Sequence, residues 1–210
     1  MSRYPSAAMP GRGQEAVLTI EAFILSILVG WIRKGKLSNL NRIPLRRLYV
    51  FILPFALLAL VNIARCSSHA HDFSPYTKAA NIAQFAILIV ATALNFHIFE
   101  MRIAGSGAFL NLVVIAVNGG IMPVSHKALS LAGLADAFSM VRLRHAMMTD
   151  ATHLKFLADV IPIGGPHAPR ALQEVASIGD VFVAVAVFIL IQRDMCMKNR
   201  QQSEDGRERM

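Results

Sequence analysis

The feature that most constrains this chain is the grouping of its apolar residues into long blocks, separated by short stretches rich in cations. Within a block the oily positions recur at neither helical nor strand spacing; they run on almost unbroken, so the element they form is apolar all round. Such an element must be covered by protein or by lipid. With 55% hydrophobic and only 16% charged residues among 210, and a mean hydropathy of +0.49, there are too many blocks for one ordinary core. The pattern therefore predicts an all-α membrane protein, a bundle of about five transmembrane helices over 16–32, 48–64, 79–99, 103–118 and 175–191. Each is near the roughly 20 residues that a bilayer core requires. The span 103–118 is short, about 24 Å at 1.5 Å per residue, and calls for help from its flanks or local thinning of the bilayer.

The cations set an orientation. Arg33, Lys34, Lys36, Arg42, Arg46 and Arg47 crowd the first connection, and Arg193, Lys198, Arg200, Arg207 and Arg209 the tail. Both should face the cytoplasm, which an odd number of spans satisfies if the amino terminus starts outside. Residues 1–15 then form a disordered extracytoplasmic arm, 16–192 a single membrane domain, and 193–210 a basic cytoplasmic tail. The net charge of +8 is assigned to anionic lipid headgroups at the cytoplasmic face. Nucleic acid is excluded as a partner, because no aromatic and basic platform accompanies the charges. Residues 119–174 would lie outside, with an interfacial helix over 128–148, where Leu131, Leu134, Phe138 and Val141 recur at helical spacing.

Two strings invite closer reading. Asn118-Gly119-Gly120-Ile121-Met122-Pro123 ends the fourth span and reads as a glycine-terminated helix; its functional alternative is unwound backbone that a ligand can approach. Ser177-Ile178-Gly179-Asp180 matches a capping box, in which the serine hydroxyl and the acid satisfy free amides of the first helical turn. Depth supplies a sharper expectation. Glu21, Asn62, Asn81, Gln84, Asn118 and Asp180 all fall toward the outer ends of the spans, where carboxylates normally face a bundle interior or a wet cavity. An outward-facing polar recess with Glu21 and Asp180 as its acids follows. His69-Ala70-His71-Asp72 and the scattered His126, His145, His153 and His167 lack the spacing of a metal site, and no cofactor is expected.

Gly35-Lys36-Leu37-Ser38, Asn118-Gly119-Gly120-Ile121-Met122-Pro123-Val124, Leu157-Ala158-Asp159-Val160-Ile161-Pro162 and Ser177-Ile178-Gly179-Asp180 occur in an order that resembles an uncharacterised bacterial membrane family, domain of unknown function 5317, over roughly residues 18–192. The resemblance implies a small multi-pass protein of the bacterial cytoplasmic membrane and carries no activity or catalytic residue. The chain departs from the pattern in its polar amino terminus, and in Arg33-Lys34-Gly35-Lys36 where the family more often has a double glycine.

The expected function is non-enzymatic: binding or passing a small solute through the recess, with Glu21, Asn118, Gly119, Gly120, Asp159, Ser177 and Asp180 as the candidate ligand-binding residues. A scaffold or assembly factor for another membrane protein is the alternative. A small intramembrane enzyme is the third reading, for which Ser177, Asp159 and Asp180 are the available groups.

Overall fold

The computed structural model describes residues 17–67, 74–134 and 145–208. Five long helices carry the fold: α1 (Val17–Ile32), α2 (Tyr49–Ser67), α3 (Ser74–Ala93), α4 (Phe99–Val117) and, after a short α5 (His126–Leu131), α6 (Ile178–Glu208). They pack in the order α1, α6, α4, α3, α2, so α1 and α2 stand at the ends of a row. Terminal contacts fix the directions. Leu18 meets Glu174 just ahead of α6 while Arg33 meets Gln192 further along it, so α1 and α6 run the same way. Asn111 meets Asp180 and Glu100 meets Arg193, so α4 runs against them.

A row one helix deep cannot bury both its faces. Ile20, Phe23, Ile24, Leu25, Leu28, Trp31 and Ile32 of α1 are exposed, as are Tyr49, Ile52, Leu53, Phe55, Leu60 and Ile63 of α2.

The predicted bundle of five spanning helices is overturned. Among the described residues one helix, Phe99–Val117, is long and apolar enough to cross a membrane; the apolar stretches Leu18–Ile32 and Tyr49–Val61 are shorter. The reasons are local. Helix α1 has 16 residues, Pro54 lies inside α2, α3 opens on the polar Ser74-Pro75-Tyr76-Thr77-Lys78, and the apolar part of α6 stops at Gln192-Arg193-Asp194. Nor is the fold all-α, since the described residues include four short strands: β1 (Met122–Val124), β2 (His145–Met147), β3 (Ile161–Ile163) and β4 (Glu174–Ala176).

The strands build an ordered cap at one end of the row. β1 pairs in parallel with β2, Met122 opposite His145, and on its other side Val124 bridges to Asp159. β3 and β4 pair antiparallel, Ile161 opposite Ala176. The interfacial helix expected over 128–148 is corrected with this: α5 ends at Leu131, Gly133 just beyond it has a φ of +77° that no continuing helix allows, and 145–147 is strand. Residues 135–144, with Phe138 and Val141, lie outside the described residues, as do 1–16 and His69, His71 and Asp72. Leu134 joins Val124, Leu129 and Ala132 in the cap's apolar core, whereas Leu131 is exposed. The single periodic stripe read from the sequence therefore divides between core and surface.

At the opposite end, the basic connection folds back on α6. Its 3-10 turn Leu37–Arg42 packs there, and the Asn39 amide and the Lys36 N–H both donate to the Met195 carbonyl, at 3.0 and 3.1 Å.

Candidate functional site

The cap and the adjoining ends of α1, α4 and α6 bring most of the candidate polar residues together. Asn118 is the cap residue of α4. The Gly119 N–H donates to the Ala116 carbonyl and the Gly120 N–H to that of Ile115, at 3.2 and 2.8 Å, the double bond that closes a helix through a left-handed residue. Both glycines have positive φ, and a Cβ on Gly120 would lie 2.6 Å from the Lys78 side chain. The Asn118 side chain then ties down the next loop, donating to the His153 carbonyl and accepting from the His153 N–H, each at 3.0 Å. The carbonyl of Gly120 is taken by the Asn81 amide at 3.0 Å. The string is thus a helix terminus whose side chain and backbone groups are already engaged.

Ser177 and Asp180 form the capping box. The Asp180 N–H donates to Ser177 Oγ at 3.0 Å, and the Ser177 N–H donates to Asp180 Oδ2 at 2.9 Å. What the string alone did not disclose is a third member, Asn111, from the middle of α4. Its amide donates to Asp180 Oδ1 at 2.8 Å, and its oxygen lies 2.8 Å from Ser177 Oγ, which is also 2.7 Å from Asp180 Oδ2. The serine has one hydroxyl proton to share between those two acceptors. Ser177 and Asn111 are almost wholly buried. Gly179 makes this approach possible, because a Cβ there would collide with the Asn111 side chain and lie 2.6 Å from the Gly107 carbonyl. Small residues at a helix crossing let backbones meet in this way. The signal for Asn111 was available, as an amide isolated within Leu110-Asn111-Leu112-Val113-Val114 demands a buried partner.

Two further acids sit under the cap. Asp159 is held by backbone on both sides, its N–H donating to the Pro123 carbonyl at 3.0 Å and its carbonyl accepting from the Ser125 N–H at 2.9 Å. His145 Nε2 lies 3.3 Å from its carboxylate. Burial pushes Asp159 up to about 6, against the hydrogen bond and charge of His145. Glu174, only 7% exposed, accepts the Leu18 N–H at the start of α1 at 2.6 Å. Burial raises it to about 7; the Leu18 bond opposes this, while Asp180, Asp159 and Glu21 add to it. Glu21 is half-buried on α1 and enters the site only through that charge. Glu174 carries no local mark in the sequence, since an acid at the start of a short strand looks like any surface carboxylate.

No group of three or more His, Cys, Asp or Glu side chains among the described residues could hold a metal ion. The Ser177 hydroxyl is committed to Asp180 and Asn111, and the His145 imidazole faces Asp159. That arrangement supplies a cap and a set of protonatable acids.

A second polar cluster lies at the other end of the row. Glu100, 2% exposed, pairs with Arg193 at 2.6 Å, and Arg193 also reaches Asp194 at 3.1 Å. Asn95 clasps the connection by accepting the Arg46 N–H at 2.7 Å and donating to its carbonyl at 3.1 Å.

A family model described as a family of unknown function, DUF5317, matches residues 42–192. The chain belongs to the DUF5317 family. An uncharacterized protein of Thermotoga maritima is 28% identical over 190 residues, which cover 90% of this chain and 97% of that one. No solved structure matches the chain. In this DUF5317 protein three of the distinctive strings meet in the cap. β1 of the first bonds Asp159 of the second, and the Val160 N–H of the second donates to the Ala176 carbonyl, one residue ahead of Ser177, at 3.2 Å. Strings far apart in sequence are thus one piece of architecture.

Proposed function

We propose that this DUF5317 protein is a membrane component without catalytic chemistry. In this reading α4, the one described helix long and apolar enough to cross, holds the protein in the bacterial cytoplasmic membrane, and the acids under the cap bind a small cationic solute on the outer side. The observation that carries the proposal is the division of the molecule into two surfaces. Along α1 and α2 large apolar side chains face outward at position after position, and an extended exposed apolar surface marks contact with protein or membrane. The cap above instead gathers Glu21, Asp159, Glu174 and Asp180 within electrostatic reach of one another. His145 Nε2 lies against the Asp159 carboxylate. A positively charged amine arriving there relieves mutual repulsion among the carboxylates. The opposite end, with Arg33, Lys34, Lys36, Arg42, Arg46, Arg47 and Arg193, faces the cytoplasm and its anionic lipids in this reading.

Two measurements test it. Alkaline carbonate should leave the protein in the membrane pellet and detergent should release it; release by carbonate alone rejects the lipid assignment. In detergent, an organic amine such as spermidine should raise the melting temperature of the wild-type protein. Glu174→Gln and Glu21→Gln should each weaken that rise. An equal rise in both variants removes the acids from the binding site.

A further inference from the structure

One face of the row carries a groove of about 460 Å³ whose apolar walls are Ile89, Phe96, Phe109, Leu110 and Phe182, with Arg102 among its lining residues. The volume is that of a small-ligand pocket. Helix α4 forms its spine, for Arg102, Ser106 and Phe109 follow one another at spacings of four and three and so share a face. From Arg102 to Phe109 the spine rises roughly 10 Å at 1.5 Å per residue, passing from a cation to hydrocarbon.

Arg102 is held in place. Its Nε donates to the Phe96 carbonyl at 2.8 Å, where α3 has ended, while its terminal nitrogens have no hydrogen-bond or ion-pair partner among the described residues. The guanidinium is therefore pinned at one nitrogen with its remaining donors open, the geometry suited to a phosphate oxygen. It lies at the same end of the row as the Glu100 and Arg193 pair and the basic connection. A ligand for this groove needs a hydrocarbon tail and an anionic head at one end, and must reach it from whatever bathes the helix row.

We infer that the groove between α3, α4 and α6 binds one anionic phospholipid, its acyl chain lying along Phe109, Leu110 and Phe182 and its phosphate on Arg102. This rests on the proposed membrane placement of α4. The charge complementarity chooses the occupant, since an apolar helix from a second copy would leave the Arg102 guanidinium without a counterion. A zwitterionic lipid fills the walls equally well but brings a cation beside the guanidinium.

Quenching of a tryptophan placed in the groove tests this. Trp31 is the chain's one tryptophan, so Phe109→Trp in a Trp31→Phe background reports from the groove alone. The full chain is reconstituted into vesicles of phosphatidylcholine and phosphatidylglycerol in equal parts, with either lipid brominated on its tails. Brominated phosphatidylglycerol should be preferred about five-fold at this site, the ratio that about 1 kcal/mol per basic contact supplies. Arg102→Gln should bring the ratio to about one, and Arg102→Lys should retain most of it. Equal quenching by the two lipids, or a preference unchanged in Arg102→Gln, overturns the lipid site while leaving α4 in the membrane. A tryptophan shielded from both quenchers in protein that has entered the vesicles overturns it in favour of a second copy. Protein that fails to enter vesicles sinks the membrane placement itself.

Discussion

Replacing Asp159 by asparagine should change how the stability of this protein depends on pH, in a direction the cap dictates. In the unfolded chain the carboxyl titrates near 3.8, and in the fold burial holds it up to about 6. The folded state thus binds this proton more tightly than the unfolded state does. Its contribution is fully present below about pH 4, fades as pH rises through about 6, and is absent above that. A difference of about two pH units corresponds to about 3 kcal/mol at 1.4 kcal/mol per unit. In a chain of this length that is roughly 6–12 °C in melting temperature. The substituted side chain stays neutral throughout and still offers an oxygen to His145 Nε2. Stability of detergent-purified wild type and Asp159→Asn should be followed by circular dichroism between pH 4.5 and 8.5. The variant should gain on the wild type as pH rises, most steeply near about 5, between the unfolded and folded values, with the gain tailing off through 6 and the difference level above about 7. Because the Asp159 charge also raises Glu174, the comparison is made in a Glu174→Gln background. A difference that stays flat, or that moves in favour of the wild type at high pH, would refute the claim that burial outweighs His145 at this carboxylate.

Other perturbations follow from the same packing. Gly179→Ala should cost about 1–3 kcal/mol, the usual penalty for overfilling a tight contact, and Gly107→Ala should do likewise; denaturant titration of either variant matching the wild type would mean that α4 and α6 do not cross there. Asn111→Leu leaves the Asp180 Oδ1 without its donor and should lose about 1–3 kcal/mol, measured the same way. Arg193→Met strands the buried Glu100 carboxylate and should cost about 3–5 kcal/mol, whereas the double change with Glu100→Leu should recover much of that loss; a double variant as unstable as the single one contradicts the pairing.

What the sequence determined by itself was local. Ser177 and Asp180 stand three residues apart, so their reciprocal bonds close within one helical turn. Asn118-Gly119-Gly120 ends α4 because only glycine takes positive φ without penalty, whatever the rest of the chain does. Family membership was also legible, since ordered strings survive without any knowledge of their contacts. Tertiary structure alone decided the rest. Hydropathy records how oily a stretch is, but not whether Pro54 or a polar first turn cuts its unbroken length, nor that five helices would form a row instead of closing into a bundle. Glu174 against Leu18, His145 against Asp159 and Glu100 against Arg193 join residues 156, 14 and 93 positions apart. No period or spacing encodes such meetings, because they depend on which elements pack together, and that is settled by the total burial of the chain.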